Sequence, residues 1–268
     1  MKETKTRNTS AQKPSIKSIR KFPSDFSQLL TPLGRRVLDG KHPEYQAPFK
    51  QPGTPFTLLD SVIDKAYARA CAQLMDRQLY EVLVPESSRI PLDSITGMTE
   101  SYSERLPKVM RFKTAFLDWS RRKKNAPSYA TAEKIGLIEM MKSESFAKFA
   151  ESITGLDLLR PAACQVVCYE HGDYQSAHVD YYPEKDPTCI GCVDVHVMMS
   201  NDAVKHQFMM YEKNHHFNHI VEVNLPAGIS VYRLPFWHQV TPLVGKKGRE
   251  HEARRWLLLG TFQIAQKK

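Results

Sequence analysis

The chain has 268 residues, of which 41% are apolar and 10% aromatic, and its formal net charge is +9. A chain of this length and apolar content can bury a large core, which excludes a wholly disordered protein. It contains no run of about 18 uninterrupted apolar residues, and Met1 is followed by a polar, lysine-rich stretch. We therefore expect neither a membrane span nor a secretory signal.

The excess positive charge is concentrated at the beginning of the chain. Residues 1–21 contain seven Lys or Arg and one Glu, so they carry +6 of the net charge. Their few large apolar side chains cannot offset the entropy of ordering, which predicts a disordered basic tail. Smaller basic clusters at 121–124 and 246–247 are typical of solvated faces, so a nucleic-acid partner is not favoured.

The two segments that follow the tail differ in composition and in predicted secondary structure. Six prolines in residues 22–56 indicate an irregular arm, and residues 57–155 indicate a helical extension. Apolar spacing predicts helices at 58–84, about 108–123, about 129–142 and about 144–154. For the last of these helices, Ser143 is the expected N-cap and Gly155 the expected terminator.

After Gly155 the pattern changes to short runs rich in Val, Ile, Tyr and Met, separated by Pro, Gly, Asn and Asp. Six or more short strands without intervening helices predict an antiparallel sandwich or barrel over residues 156–268. The predicted strands are Cys164–Tyr169, Val193–Met199, Gln207–Glu212, His219–Val223, Ile229–Leu234 and Arg255–Gln263.

Five cysteines are an odd number for a disulfide framework in a long chain. We expect reduced thiols in a reducing compartment, which favours the cytoplasm. A structural zinc site formed by Cys164, Cys168, Cys189 and Cys192 is a less favoured alternative, because both pairs lie in strand-like segments and the Cys189–Cys192 spacing is unusual for it.

One set of residues carries a chemical signal. His178 and Asp180 lie two residues apart at the end of a predicted strand, so their side chains leave the backbone on the same side. His238 follows 60 residues later, on what reads as a penultimate strand. Two imidazoles and one carboxylate that leave coordination positions open are the arrangement that suits Fe(II) oxygenases. The sequence therefore predicts a metal site at His178, Asp180 and His238.

In its context this motif resembles the Fe(II)/2-oxoglutarate-dependent dioxygenase superfamily, in particular its prolyl-hydroxylase-like branch. The resemblance covers roughly residues 150–263. The residues that carry it are Tyr169, Gly172-Asp173, His178-x-Asp180, Pro226-x-Gly228, His238-x-Val240 and Arg255, which stands five residues before Gly260.

The resemblance implies an α+β protein with a double-stranded β-helix, a jelly-roll barrel like that of the cupins, and a helical N-terminal extension packed on it. It also implies a 2-oxoglutarate-dependent dioxygenase, a hydroxylase by default, with Fe(II), 2-oxoglutarate as co-substrate and ascorbate as a reductant. Arg255 matches the basic residue that pairs with the distal carboxylate of 2-oxoglutarate, a role for which a guanidinium is suited. Arg254 must point to the opposite face of the strand, and Arg249 is a weaker candidate.

Two further residues are candidates for the co-substrate pocket. Tyr169 is similar to a tyrosine that lines this pocket in relatives, although a packed core aromatic is an equal alternative. Strand alternation places Asp194, His196 and Met198 on one face, so His196 is expected to face the cavity. A cluster of His215, His216 and His219 is interpreted as loop histidines rather than a second metal site.

The substrate is left open by the sequence. The chain has Met199-Ser200-Asn201 and His206-Gln207 where relatives often have Tyr-Leu-Asn and Gly-Gly, and both differences are expected near the substrate mouth. A peptidyl, prolyl-type side chain and a free amino acid or small molecule both remain candidates. The alternative function is a cupin-like protein that binds a metal or ligand without oxygenase activity, and a nucleic-acid oxygenase is a third possibility.

Overall fold

The computed structural model describes residues 18–50, 56–88, 110–119, 126–161, 163–178, 191–213, 216–234 and 236–265. Asp180, Cys189, His215 and most of the predicted basic tail lie outside the described residues. The helices are α1 (Pro32–Leu38), α2 (Ala47–Lys50), α3 (Lys65–Gln78), α4 (Pro127–Lys134), α5 (Leu137–Met141) and α6 (Glu144–Thr154).

The strands account for most of the second half of the chain. They are β1 (Phe56–Asp60), β2 (Val84–Ser88), β3 (Met110–Asp118), β4 (Ala163–Glu170), β5 (Tyr174–His178), β6 (Cys192–Ser200), β7 (Val204–His206), β8 (Phe208–Lys213), β9 (His216–Glu222), β10 (Gly228–Leu234), β11 (His238–Val240), β12 (Val244–Gly245) and β13 (Arg254–Gln263). No helix in the ranges given above is both long and apolar enough to cross a membrane.

Eight of the strands pair in a nested order. β4 pairs with β13, β5 with β11, β6 with β10, and β8 with β9, all antiparallel. β6 also pairs with β13 and β8 with β11, which completes two four-stranded layers. This nesting of first strand with last, second with second-last, and so on, is the topology of a jelly roll. The predicted double-stranded β-helix is therefore confirmed.

Two hydrophobic cores lie on the two faces of this curled sheet. The inner core fills the barrel and contains Val167, Met198 and Leu257. The outer core lies between the sheet and the helices and contains Val197, Leu258 and residues of α3 and α6. Because successive strand residues point to opposite faces, β6 and β13 contribute to both cores and are buried along most of their length. The helices of the N-terminal half thus pack on the outside of the barrel.

The predicted helix at 58–84 is partly wrong. Residues Phe56–Asp60 form strand β1, which pairs with β10, and the helix begins only after Asp64. Ser61 has a positive φ of 64°, which interrupts the backbone between the strand and the helix. The Asp64 carboxylate then accepts hydrogen bonds from the amides of Ala66 and Tyr67 and caps α3.

The predicted helix at about 108–123 is wrong, because residues Met110–Asp118 form β3 and pair with β4. Its buried residues are Met110, Phe112, Ala115 and Leu117. At 100° per residue these four positions would lie on two opposite sides of a helix, so the burial fits a strand whose alternation shifts once after Phe112. This break in the alternation obscures the strand in the sequence, and the strand forms by pairing with its neighbour β4.

The structure has helices in the other two predicted helical segments. The segment at 129–142 forms α4 and α5, separated at Gly136 with φ 78°, and α6 ends at Gly155 with φ 67° as predicted. Ser143 occupies the N-cap position, but its hydroxyl accepts from the amide of Phe26 instead of from its own helix. The arm at 22–56 contains α1 and α2 and is more regular than its proline content indicates.

Candidate metal and co-substrate site

The two predicted histidine ligands lie side by side. His178 is the last residue of β5, His238 is the first residue of β11, and the antiparallel register places them directly opposite each other. The centroids of their rings are 4.3 Å apart and both side chains are buried. The jelly-roll pairing of β5 with β11 therefore brings together two imidazoles that are 60 residues apart.

Hydrogen bonds to the backbone fix the tautomer of each ring. Nδ1 of His178 is 2.6 Å from the carbonyl oxygen of Ser176, and Nδ1 of His238 is 3.0 Å from that of Phe236. A carbonyl can only accept, so Nδ1 carries the proton in both rings and Nε2 carries the lone pair. Metal-binding histidines are oriented in this way.

These two imidazoles fit a divalent metal ion such as Fe(II). The predicted third ligand, Asp180, lies outside the described residues. Accordingly, within the described ranges no three side chains of His, Cys, Asp or Glu form a metal-binding group. The role of His178, Asp180 and His238 as metal ligands remains a prediction.

A cavity of about 270 Å³ lies inside the barrel next to His238. It is lined by residues from both sheet layers. The polar residues that line it are Glu86, Thr114, Gln165, Tyr169, Gln175, His196, Ser230, Tyr232, His238 and Arg255.

Arg255 is the cationic residue of this cavity, and only 3% of it is exposed. Its Nε donates to the carbonyl of Val223 at 2.7 Å, and its Nη1 donates to Oε1 of Gln207 at 3.0 Å. Both acceptors are neutral. In the described part of the chain no carboxylate lies within 4 Å of the guanidinium. Burial lowers the pKa of Arg255 to about 10, so the side chain is still charged at neutral pH.

The other two candidate arginines lie elsewhere. Arg254, on the opposite face of β13, has its guanidinium 4.5 Å from the centroid of the Tyr80 ring and 3.6 Å from Glu170. Arg249 pairs with Asp202 and Glu252 at the surface. The expectation that Arg254 and Arg255 face opposite sides is thus confirmed, and of the three only Arg255 lines the cavity.

Tyr169 and His196 both line the cavity, as predicted. Tyr169 lies opposite Arg255 in the register of β4 and β13, and its hydroxyl donates to Oε1 of Gln175 at 3.0 Å. Nε2 of His196 is 3.0 Å from the hydroxyl of Tyr232. Whether either side chain binds a co-substrate remains a prediction.

Sequence reasoning assigned no role to Tyr232 and Gln207, and it indicated Phe236 only as a shielding aromatic beside His238. Tyr232 lies on the same face of β10 as Ser230, so the period of two could have identified it. Phe236 stacks on Tyr232 with a centroid distance of 4.7 Å. Gln207 is fully buried between β7 and β8 and contacts Arg255, whereas the sequence indicated it only as a difference near the substrate mouth.

The alternative metal sites gain no support from the described residues. Cys164 and Cys168 are buried thiols on β4, and burial raises the pKa of Cys164 to about 12, which disfavours the thiolate that binds zinc. In the histidine cluster, His219 stacks on Tyr211 with a centroid distance of 5.3 Å.

No family model and no curated protein matches the chain. Several solved structures have a similar fold. One is a prolyl-4-hydroxylase from Pseudomonas putida, with 12% identity, a TM-score of 0.44, and coverage of 86% of this chain and 100% of that chain. A second is an oxidoreductase of the 2OG-Fe(II) oxygenase family from Burkholderia pseudomallei, with 11% identity, a TM-score of 0.49, and coverage of 81% and 88%. A third is a prolyl hydroxylase from Trichoplax adhaerens in complex with a hypoxia inducible factor peptide, with 12% identity, a TM-score of 0.45, and coverage of 87% and 89%.

Proposed function

We propose that this chain is an Fe(II)- and 2-oxoglutarate-dependent oxygenase that hydroxylates its substrate. His178, Asp180 and His238 would hold the metal, and Arg255 would bind the distal carboxylate of 2-oxoglutarate. The observation that carries the proposal is the buried, charged Arg255, which has no anionic partner among the described residues and lines the same cavity as His238.

The inner face of the barrel supports a ligand with one anionic end and an apolar middle. Arg255 and Tyr169 form one level of the strand register, and Leu257 and Val167 form the next level. Both apolar residues line the cavity. A buried cation lacking an internal counter-charge is costly unless an anion binds beside it, so the cavity favours a carboxylate at the Arg255 level. Methylene groups would then contact Leu257 and Val167.

When bound, Fe(II) and 2-oxoglutarate supply the oxidising chemistry with molecular oxygen. The contribution of the chain is to position these groups and to exclude water. The backbone carbonyls of Ser176 and Phe236 keep Nε2 of both histidines in the metal-binding form. The ring of Phe236, 5.4 Å from that of His238, shields one side of the ligand.

The substrate that we propose is a peptidyl side chain of the prolyl type or a free amino acid or small molecule. This part rests on the motif resemblance, and fold alone does not decide among these classes. A screen of amino acids and peptides for succinate release would identify the class, because succinate is the common product whichever substrate is oxidised.

The proposed function is tested by oxygen-dependent formation of succinate from 2-oxoglutarate with added Fe(II). We expect the His178→Ala protein to lose this activity, since one of the imidazole ligands is removed. The matched control is His251→Ala, because His251 is exposed. Metal binding by the wild-type chain without any consumption of 2-oxoglutarate would instead support a cupin-like binding protein.

A further inference from the structure

The side chain of Gln207 holds the guanidinium of Arg255 through a neutral hydrogen bond. Gln207 is fully buried between β7 and β8, and its Oε1 accepts the hydrogen bond from Nη1 of Arg255 at 3.0 Å. Its Nε2 donates to the carbonyl of Thr241 at 3.0 Å and lies 3.4 Å from the carbonyl of Asp173. Because both carbonyls can only accept, the amide has one consistent orientation, with Oε1 toward Arg255.

The backbone of Gln207 supports the second acceptor of Arg255 as well. Its carbonyl accepts from the amide of Val223 at 2.9 Å, and the carbonyl of Val223 accepts from Nε of Arg255 at 2.7 Å. The amide of Gln207 donates in turn to Oδ1 of Asn224 at 3.1 Å. One residue thus determines the position of both groups that hold the guanidinium.

The two groups that accept hydrogen bonds from Arg255, the side-chain amide of Gln207 and the carbonyl of Val223, are both neutral. A glutamate at position 207 would have nearly the same size, but its charge would form a buried ion pair with Arg255. It would also place a negative oxygen beside the carbonyls of Thr241 and Asp173. A glutamine instead fixes the guanidinium and leaves its net charge uncompensated.

We propose that Gln207 is a positioning residue that orients Arg255 through a neutral acceptor and thereby reserves its positive charge for the carboxylate of a bound dicarboxylate. The inference deepens the proposed function and rests on it for the identity of that dicarboxylate. It concerns a position where this chain has His206-Gln207, in place of the Gly-Gly that is common in the proteins its motif resembles.

The test is the affinity of the full-length chain for glutarate, measured by calorimetry, and the KM for 2-oxoglutarate in the succinate assay. Glutarate has two carboxylates but no keto group, so it reports on Arg255 without chelating a metal. We expect Gln207→Glu to weaken glutarate binding at least about tenfold and to raise the KM to a similar extent, with kcat nearly unchanged, because an internal anion competes with the ligand.

The charge-matched control is Gln73→Glu on the exposed face of α3, which should leave the affinity unchanged. A second variant, Gln207→Met, keeps the volume and the neutral charge but removes the acceptor; we expect it to weaken glutarate binding about threefold to tenfold. If Gln207→Glu does not fold, Gln207→Met decides the question alone.

A purely structural role predicts a different result, in which both variants lower the unfolding temperature and bind glutarate as well as the wild type does. That result, or a wild-type chain that does not bind glutarate, would overturn the inference. Glutarate binding that depends on Gln207 without any succinate formation would leave the inference standing and reject the proposed oxygenase. Succinate formation together with a glutarate affinity that does not depend on Gln207 would support the proposed oxygenase and reject the inference about Gln207.

Discussion

Among single residues, the proposed function depends most on Arg255, a cation inside the barrel. Transfer of a charged group out of water costs several kcal/mol unless an opposite charge or hydrogen bonds offset the cost. Arg255 has two neutral acceptors and no described carboxylate partner, so part of this cost remains in the ligand-free protein. We therefore expect Arg255 to contribute to ligand binding and to add little to the stability of the ligand-free fold.

The first prediction follows from this imbalance. Arg255→Gln should raise the Kd for 2-oxoglutarate by at least about tenfold, because the loss of a charged hydrogen-bond partner costs about 1.5–3 kcal/mol. It should not lower the unfolding temperature of the ligand-free protein by much, since an uncompensated charge is removed. Titration calorimetry and thermal unfolding measure the two effects.

Arg254→Gln is the neighbouring control. Arg254 contacts Tyr80 and Glu170 on the outer face, so its replacement should lower stability without changing the affinity. Equal effects of the two substitutions on 2-oxoglutarate binding would contradict the assignment of Arg255.

The second prediction concerns Asp173, which lies in the turn between β4 and β5. Burial raises the pKa of its carboxyl to about 6, although its oxygens interact with the amide of Glu170 and with Arg111. Because the pKa in the folded state is above the ordinary value of 3.8, the stabilisation from this group is complete below about pH 4 and is lost as the pH rises through 6.

Asp173→Asn should therefore become more stable relative to the wild type by about 1–2 kcal/mol when the pH is raised from 4 to 7. Urea denaturation at the two pH values measures this change. Asp202→Asn is a control that should not show this gain in relative stability between pH 4 and 7, because hydrogen bonds from Arg249 lower the pKa of that exposed carboxyl. A difference between Asp173→Asn and wild type that is constant with pH would be inconsistent with the raised pKa.

Among the secondary-structure elements, helix α6 packs closely against strand β13 of the barrel. At Gly260 on β13, an added Cβ would lie 2.6 Å from Cε1 of Phe146, a fully buried residue of α6. Glycine in a strand often marks such a close approach. The contact explains why α6 packs directly against the strand that carries Arg255.

The third prediction is that Gly260→Ala destabilises the protein by about 1–3 kcal/mol through overpacking against Phe146. In a Phe146→Leu background the same substitution should cost less, since the ring edge is gone. Chemical denaturation of the four proteins of this double-mutant cycle gives the interaction energy. Additive effects of the two substitutions would show that the contact is not responsible.

The elements also show what local sequence could and could not predict. The strands around β6, β10 and β13 have strong alternation or continuous β-branched and apolar runs, and they were predicted nearly to the residue. β3 was mistaken for a helix because its buried positions are interrupted in the middle. The contact of Gln207 with Arg255 could not be predicted, since the two residues are 48 positions apart and no local pattern links them.

At the scale of the whole molecule, the nested pairing of the jelly roll is what assembles the site. It places β5 beside β11 and β4 beside β13, so His178 meets His238 and Tyr169 meets Arg255. The order of these residues along the chain was sufficient to predict their proximity, because the motif resembles a family whose fold has this nesting. Local periodicity alone indicated only an antiparallel barrel or sandwich.

In the function that we propose, two imidazoles and one carboxylate would hold a single metal ion beside a dicarboxylate pocket. An anaerobic titration of the full chain with Fe(II), followed by 2-oxoglutarate, measures this binding. We predict one Fe(II) per chain, loss of this binding in His178→Ala, Asp180→Ala and His238→Ala, and unchanged binding in His251→Ala. Stoichiometric Fe(II) binding that survives the first three substitutions would contradict the account.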